Sequence, residues 1–318
     1  MKIESKLNEP KIDPKCFEAS DDIINISQLW YVIWLNKVKI IVTTSIFSLL
    51  AIVYVLSLPD IYKSSITLAP TKSDGGSLGG LASQYGGLAA MAGINLGGQS
   101  NDVEQAIELL ESWPFIDNFV KKHDIKADIM AVDKWDKVSG KLIYDEDLYN
   151  SATGKWVVKS GETEDLSPSS YKTFRKISKM IFVSLDNKTN LLNIDVEHYS
   201  PLVAKKWAIW LANDINKHFQ DRDIEETAKN IDYLKNKVLE TNITDMQSVF
   251  YNMIESQTKV LMLAEVSKEY LLKTVVPPMA PEEKSKPKRG LKVIFITLLG
   301  GLMSVAFFIM RHFLKKRN

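Results

Sequence analysis

Residues 40–58 read IIVTTSIFSLLAIVYVLSL, nineteen residues without a charge, closed by Lys39 on one side and Pro59-Asp60 on the other. At roughly 1.5 Å per residue a helix of that length covers about 28 Å, close to the ~30 Å hydrocarbon core of a bilayer, and it satisfies its own backbone hydrogen bonds there. A signal peptide has a shorter apolar core nearer the N-terminus and a small-residue cleavage site. A second stretch answers the first: Val293–Met310, VIFITLLGGLMSVAFFIM, lies between Lys292 and Arg311. The chain is therefore read as two transmembrane helices, 40–58 and 293–310, flanking a body at 59–292, with short segments 1–39 and 311–318 outside them. Lys37 and Lys39 before the first span, and Arg311, Lys315, Lys316 and Arg317 after the second, predict that both outer segments lie in the cytoplasm and the body across the membrane.

Composition narrows the function classes. The 40 basic and 39 acidic side chains nearly cancel, so there is no electrostatic footprint for nucleic acid. The single cysteine, Cys16, precedes the first span, and the body can form no internal disulfide. His123, His198, His218 and His312 are scattered without metal-ligand spacing, and neither C-x-x-C nor H-E-x-x-H occurs. No catalytic, cofactor-binding or metal-binding residues are assigned. The acidic run Tyr144-Asp145-Glu146-Asp147 is a solvated turn rather than one half of a carboxylate pair.

Taken in order, residues 1–20 are polar and carry Pro10 and Pro14, the composition of a tail. Asp21–Trp34 leads into the first span, with Trp30, Tyr31 and Trp34 suited to the headgroup layer. Tyr62–Leu68 alternates as a strand. Nine of the fifteen glycines then fall in Gly75–Gly98, where Leu78, Leu81, Tyr85, Leu88, Met91, Ile94 and Leu96 interrupt the small residues. No G-K-[ST] or strand-borne G-x-G-x-x-G supports phosphate binding. The segment reads either as a loop or as an apolar stretch packing on a neighbouring subunit or the membrane surface.

Helix is predicted from Asn101, through Val103, Ile107 and Leu110. Two strands follow at Ile181–Leu185 and Leu191–His198, and Ser200-Pro201 supplies a helix cap followed by proline. Leu202–Val276 contains no glycine or proline and should be mostly helix, with a bend or register change at Thr241-Asn242. A helix of that length would project from the membrane, and its apolar stripe needs other helices to cover it. Because the chain has few other long helices, self-assembly through Met246, Phe250, Met253, Leu261 and Ala264 is expected. Pro277, Pro278, Pro281 and Pro287 make a stiff strap, 277–289, returning to the second span. Within that span Gly300, Gly301 and Ser304 put small residues one turn apart, where the first span could approach closely.

In their order, these parts resemble the Wzz-type chain-length determinants, polysaccharide co-polymerases of the bacterial inner membrane. The likeness is carried by the Asp21–Trp34 lead-in, Gly75–Gly98 followed by Ala106-Ile107-Glu108-Leu109-Leu110, and His198-Tyr199-Ser200-Pro201 opening a helix with Asn213 and Asn216. Ile254-Glu255-Ser256-Gln257, Met262-Leu263-Ala264 and the proline strap complete it. The resemblance implies a membrane-anchored α+β protein with a periplasmic α/β base, 59–200, a long protruding helix, 201–276, and no catalysis of its own. It implies a homo-oligomeric ring that sets the modal length of O-antigen or a related glycan, partnered by a separate integral-membrane polymerase and its growing lipid-linked glycan. Larger relatives carry a kinase domain after the second span, which the eight residues beyond Met310 leave no room for here. A two-span sensor and a periplasmic adaptor of an export system are the other readings. The sensor lacks an output domain, and the adaptor lacks a paired lipoyl-like motif.

Overall fold

The computed structural model describes residues 26–71, 99–157 and 167–317, so residues 1–25 and the glycine-rich 75–98 lie outside the described residues. The chain divides into two compact units, one holding the residues up to Ser57 and from Arg289 onward, the other residues 58–288.

In the first unit, helix α1, Ile26–Leu35, runs into α2, Lys37–Ser57, and α9, Arg289–Arg317, packs against both. Asn36 joins α1 to α2 without breaking the hydrogen-bond ladder, its N–H donating to Val32 O at 3.1 Å and its carbonyl accepting from Ile40 N at 3.0 Å. Most of α2 is an open apolar surface, including Ile41, Val42, Ile46, Leu49 and Val53, while Ala51 and Val55 are buried. An all-round apolar helix with only a narrow buried seam suits a lipid environment. Both helices are long and apolar enough to cross a membrane.

The second unit is built on a four-stranded antiparallel sheet of order β6-β7-β1-β8. Its strands are β1, Tyr62–Pro70; β6, Ile181–Asp186; β7, Leu191–His198; and β8, Leu272–Val276. The central pairing sets Tyr62 opposite His198 and Leu68 opposite Leu192. Alternation then puts Ser64, Ile66 and Leu68 with Leu192, Ile194 and Val196 on one buried face. The opposite face carries polar cross-strand pairs, Lys63–Asp195 at 2.5 Å and Thr67 Oγ1 donating to Asn193 Oδ1 at 2.7 Å. The β6–β7 turn closes on Asn190, at φ 55°, with Asp186 accepting from Lys188 N–H and the Thr189 hydroxyl.

Helices cover the apolar face. α3, Gln99–Glu111, and α4, Trp113–His123, precede α5, Lys126–Met130. Short hairpins follow, β2, Val132–Trp135, with β3, Leu142–Tyr144, and β4, Tyr149–Asn150, with β5, Lys155–Trp156; then comes α6, Ser170–Ile177. These pieces are too short to show a period in the sequence. The expected acidic turn is present, with Asp145 Oδ1 accepting from Asp147 N–H.

α7, Pro201–Glu240, starts where Ser200 caps it, the hydroxyl accepting from Val203 N–H. Its first half lays Ala204, Trp207, Ala208, Leu211, Ala212, Ile215 and Phe219 on the sheet, joining Phe115, Ile116, Phe119 and Val120 of α4 in one core.

Two expectations are corrected. The glycine-free run is not one bent helix: at Thr241–Ile243 the chain reverses, and α8, Thr244–Val266, folds back along α7. Nor does helix last to Val276, because Leu272–Val276 leaves the hairpin as β8 and pairs with β1. Absence of glycine and proline marks regular structure without choosing helix over strand, and the β-branched Thr274-Val275-Val276 favours the sheet edge.

Candidate assembly site

The five residues proposed for self-association, Met246, Phe250, Met253, Leu261 and Ala264, all lie on α8. The fold uses most of them internally. Phe250, Met253 and Ile254 pack on Leu234 of α7, and Ala264 is fully buried. The chain doubling back thus covers part of a stripe that one straight helix could not cover. Met246 is 47 % exposed and Leu261 is half-buried, so these two keep an open side.

Polar side chains on α7 fix the base of the hairpin. Asn216 is buried and fully engaged: Nδ2 donates to Ala212 O and Leu272 O, and Oδ1 accepts from the N–H groups of Leu271 and Leu272. One turn on, Gln220 Nε2 donates to Ala264 O at 2.6 Å and Ser267 O at 2.9 Å. Arg222 Nε then meets Asp223, which accepts from Tyr270 OH at 2.8 Å, and its other nitrogens reach Gln105 and Asp102 of α3. These clamps were missed as a set. Their signal in the sequence is Asn216 and Gln220, four apart, on the flank of an otherwise apolar helix face.

The proline strap is also held. Ile61 and Lys286 form a β-bridge, Ser64 Oγ donates to Met279 O, and two ion pairs pin the strap, Lys284–Asp60 at 3.1 Å and Lys286–Glu197 at 2.8 Å. The segment 277–289 therefore runs along the outer edge of β1 in continuation of β8, with Pro287 following a cis peptide bond. Proline suits an edge, where no neighbouring strand needs its missing N–H.

In the spanning unit, the small residues do not contribute equally. A Cβ added at Gly300 would lie 2.8 Å from Phe47 Cβ, whereas at Gly301 the nearest atom is Thr44 Cγ2 at 3.7 Å. Gly300 is the point of close approach. Ser304 is buried and hydrogen-bonds Thr43 across the two helices at 2.5 Å. Because the Thr43 hydroxyl donates to the carbonyls of Lys39 or Ile40 one turn back, Ser304 is the donor in that pair.

One buried polar cluster lies in the second unit. His198 accepts from Ser200 N–H through Nδ1 and donates from Nε2 to Asp128 O, so it is the neutral Nε2–H tautomer. Burial pushes its pKa down to about 4, against the raising effect of those two hydrogen bonds. Burial raises the Asp128 carboxyl, opposed by the hydrogen bond it accepts from Tyr144 OH. The ring packs against Trp207 and Tyr199, which makes this a closed structural knot. Among the described residues, no group of three His, Cys, Asp or Glu side chains is placed to hold a metal ion.

The Wzz family of chain length determinant proteins matches residues 22–123, from the lead-in through the end of α4. No curated protein sequence matches the chain. Among solved structures, a full-length bacterial polysaccharide co-polymerase aligns with 92 % of this chain and 99 % of its own at 13 % identity and a TM-score of 0.41. A fragment of WzzB, the polysaccharide co-polymerase from Salmonella Typhimurium, aligns with 72 % of this chain and 100 % of its own at 10 % identity and a TM-score of 0.28.

Proposed function

We propose, from the Wzz match over residues 22–123, that the chain is a chain-length determinant, a non-catalytic scaffold of the bacterial inner membrane. Its role in this reading is to set the modal length of O-antigen or a related surface polysaccharide made by a separate polymerase. The family match over residues 22–123 is the observation that carries it. Support comes from the two helices long and apolar enough to cross a membrane, one before and one after the α/β body, which in this reading lies in the periplasm. The side chains add to this: the buried histidine is neutral and fully hydrogen-bonded, and the acidic turn is solvated, so neither is poised for sugar transfer. Copies are proposed to assemble as a homo-oligomer, with Met246 and Leu261 on the open side of α8 and the spans of each copy held together through Gly300 and Ser304.

The test is to delete the gene and restore the full chain in its own host, reading surface polysaccharide on a gel. Loss of the preferred length with continued synthesis, reversed by the restored chain, is the expected result. A second reading, a periplasmic adaptor of an export system, is favoured by the α7–α8 hairpin. It predicts instead that polymer accumulates inside the deletion strain with its length distribution unchanged.

A further inference from the structure

We infer that the outward face of α6, with Trp113 beside it, binds an acidic polysaccharide, a chain of sugar rings bearing carboxylates; this rests on the chain-length reading above and names the chemistry of its glycan. At about 100° per residue, Tyr171, Lys172, Arg175 and Lys179 share an arc of about 100°, and the buried Thr173 and Ile177 lie opposite. Lys179 follows the cap Ser178 in a continued turn, its N–H donating to Lys176 O at 3.2 Å. All four side chains of the arc are exposed, and among the described residues none of its three cations forms an ion pair. The helix macrodipole favours cations in a last turn, but Lys172 stands in the first turn of α6, where a cation is disfavoured and no acid accompanies it. With a net charge of +1 for the whole chain, this excess is local rather than general.

Two aromatic rings adjoin the cations. Trp113 is 49 % exposed and Tyr171 57 %. The Trp113 indole N–H donates to Ser170 Oγ at 2.9 Å, and Ser170 donates in turn to Asp117, whose carboxylate Lys121 pairs at 2.6 Å. The indole is thereby held in place, its polar atom satisfied inside the chain and its ring left open, and the nearby carboxylate is already matched. A fixed, open ring gains by meeting a flat and partly apolar partner, which a sugar ring is. Arg175 and the two lysines supply charge-assisted donors for carboxylates on the same polymer. An anionic bilayer fits this face less well. Interfacial helices carry aliphatic or aromatic anchors opposite their cations, whereas the other exposed residue of this face is Ser178, and an interfacial tryptophan keeps its N–H for water or headgroups.

The experiment titrates the full chain, in an uncharged detergent, with fluorescently labelled oligogalacturonate. Lys172→Gln, Arg175→Gln and Lys179→Gln together should weaken binding on the order of tenfold or more, and Tyr171→Ala on the order of fivefold. Lys229→Gln, Lys235→Gln and Lys259→Gln remove the same charge from exposed positions on α7 and α8 and should leave it within about twofold. Equal loss in the two triple variants, or full affinity in Tyr171→Ala, would overturn the proposal. Polyglutamate of matched length should bind several-fold more weakly than the glycan, and equal binding would make this a general polyanion surface and overturn it. Lipid is tested in membranes by amine labelling of Lys172 and Lys179, which oligogalacturonate should slow several-fold; slowing by phosphatidylglycerol in its place would overturn the glycan assignment. Glu162, Glu164 and Asp165 precede α6 in sequence. Binding seen only after Glu162→Gln, Glu164→Gln and Asp165→Asn would mean that the chain's own acids take the face, and would also overturn it. None of these measurements involves a polymerase, so their failure leaves the proposed function standing, while the gene-deletion test above can fail without any change in binding at α6.

Discussion

Asn216 holds Leu272 at both of its backbone polar groups, accepting from its N–H at 2.8 Å and donating to its carbonyl at 2.8 Å. The same side chain accepts from Leu271 N–H, so it fastens the first residue of β8 to the middle of α7 where neither strand nor helix supplies a partner. Asn216→Leu fills the volume but strands these groups in the core. That should cost about 2–4 kcal/mol, since buried donors left unpaired each cost about 1–3. Asn213→Leu, one turn away and exposed, should stay within about 0.5 kcal/mol. Thermal unfolding of the detergent-solubilised chain gives the comparison, and equal losses in the two variants would mean that Asn216 is no clamp.

The spans are predicted to respond unequally to their two glycines. Gly300→Ala forces a methyl to 2.8 Å from Phe47 Cβ and must displace one helix, at a cost of about 1–3 kcal/mol. Gly301→Ala meets Thr44 at an ordinary 3.7 Å and should be close to neutral. Ser304→Ala removes one interhelical hydrogen bond, about 0.6 kcal/mol in a membrane. Cross-linking efficiency between cysteines placed on the two spans ranks the three variants. If Gly301→Ala separates the helices as much as Gly300→Ala, the packing described here is wrong.

Acid should loosen the base domain through His198. Its folded pKa of about 4 lies below the ordinary value of 6.5, so between those limits the unfolded chain binds more protons and stability falls as pH falls. The full loss is about 3 kcal/mol, reached near pH 4. Asp128, whose carboxyl is raised by burial, acts with the opposite sign and offsets part of it. The pH dependence of the unfolding midpoint from 7 to 4 should be shallower in His198→Gln than in the native chain. Parallel curves would remove His198 as the source.

The hairpin separates folding from association. Ala264→Glu puts a charge at a site with no exposure, so it should unfold the hairpin base and lower the melting temperature. Leu261→Glu, on a half-open position, should leave the midpoint nearly unchanged and shift native-state mass toward smaller assemblies. An intact assembly in well-folded Leu261→Glu would mean that this side of α8 is not the contact between copies.

Much of this was legible before the structure. The spans, β1, β6, β7 and the Ser200-Pro201 start of α7 each follow from a local rule that tertiary packing reinforces, whether uncharged length, alternation or capping. What was misread has a common cause. Leu202–Val276 offers no breaker, so only the phase slip at Thr241-Asn242 hinted at a turn, and a full reversal is decided by contacts such as Leu234 on Phe250 and Met253. The same reversal packs Phe250, Met253 and Ala264 within the chain and leaves Met246 and Leu261 with an open side. Strand β8 depends on a β1 edge some two hundred residues away in sequence, and the clamps at Asn216 and Gln220 depend on where the connector passes. Gly300 and Gly301 look identical in sequence, and only the position of Phe47 tells them apart.

The central claim is that this chain governs polymer length without making polymer. The most direct measurement places the purified full chain in liposomes with the host polymerase and lipid-linked repeat units, and records both repeat incorporation and product length. The account predicts no polymer from the chain alone, a near-unchanged incorporation rate when it joins the polymerase, and a shift from a broad distribution to a preferred length. Polymer formed by the chain alone, or a length distribution indifferent to its presence, would contradict it.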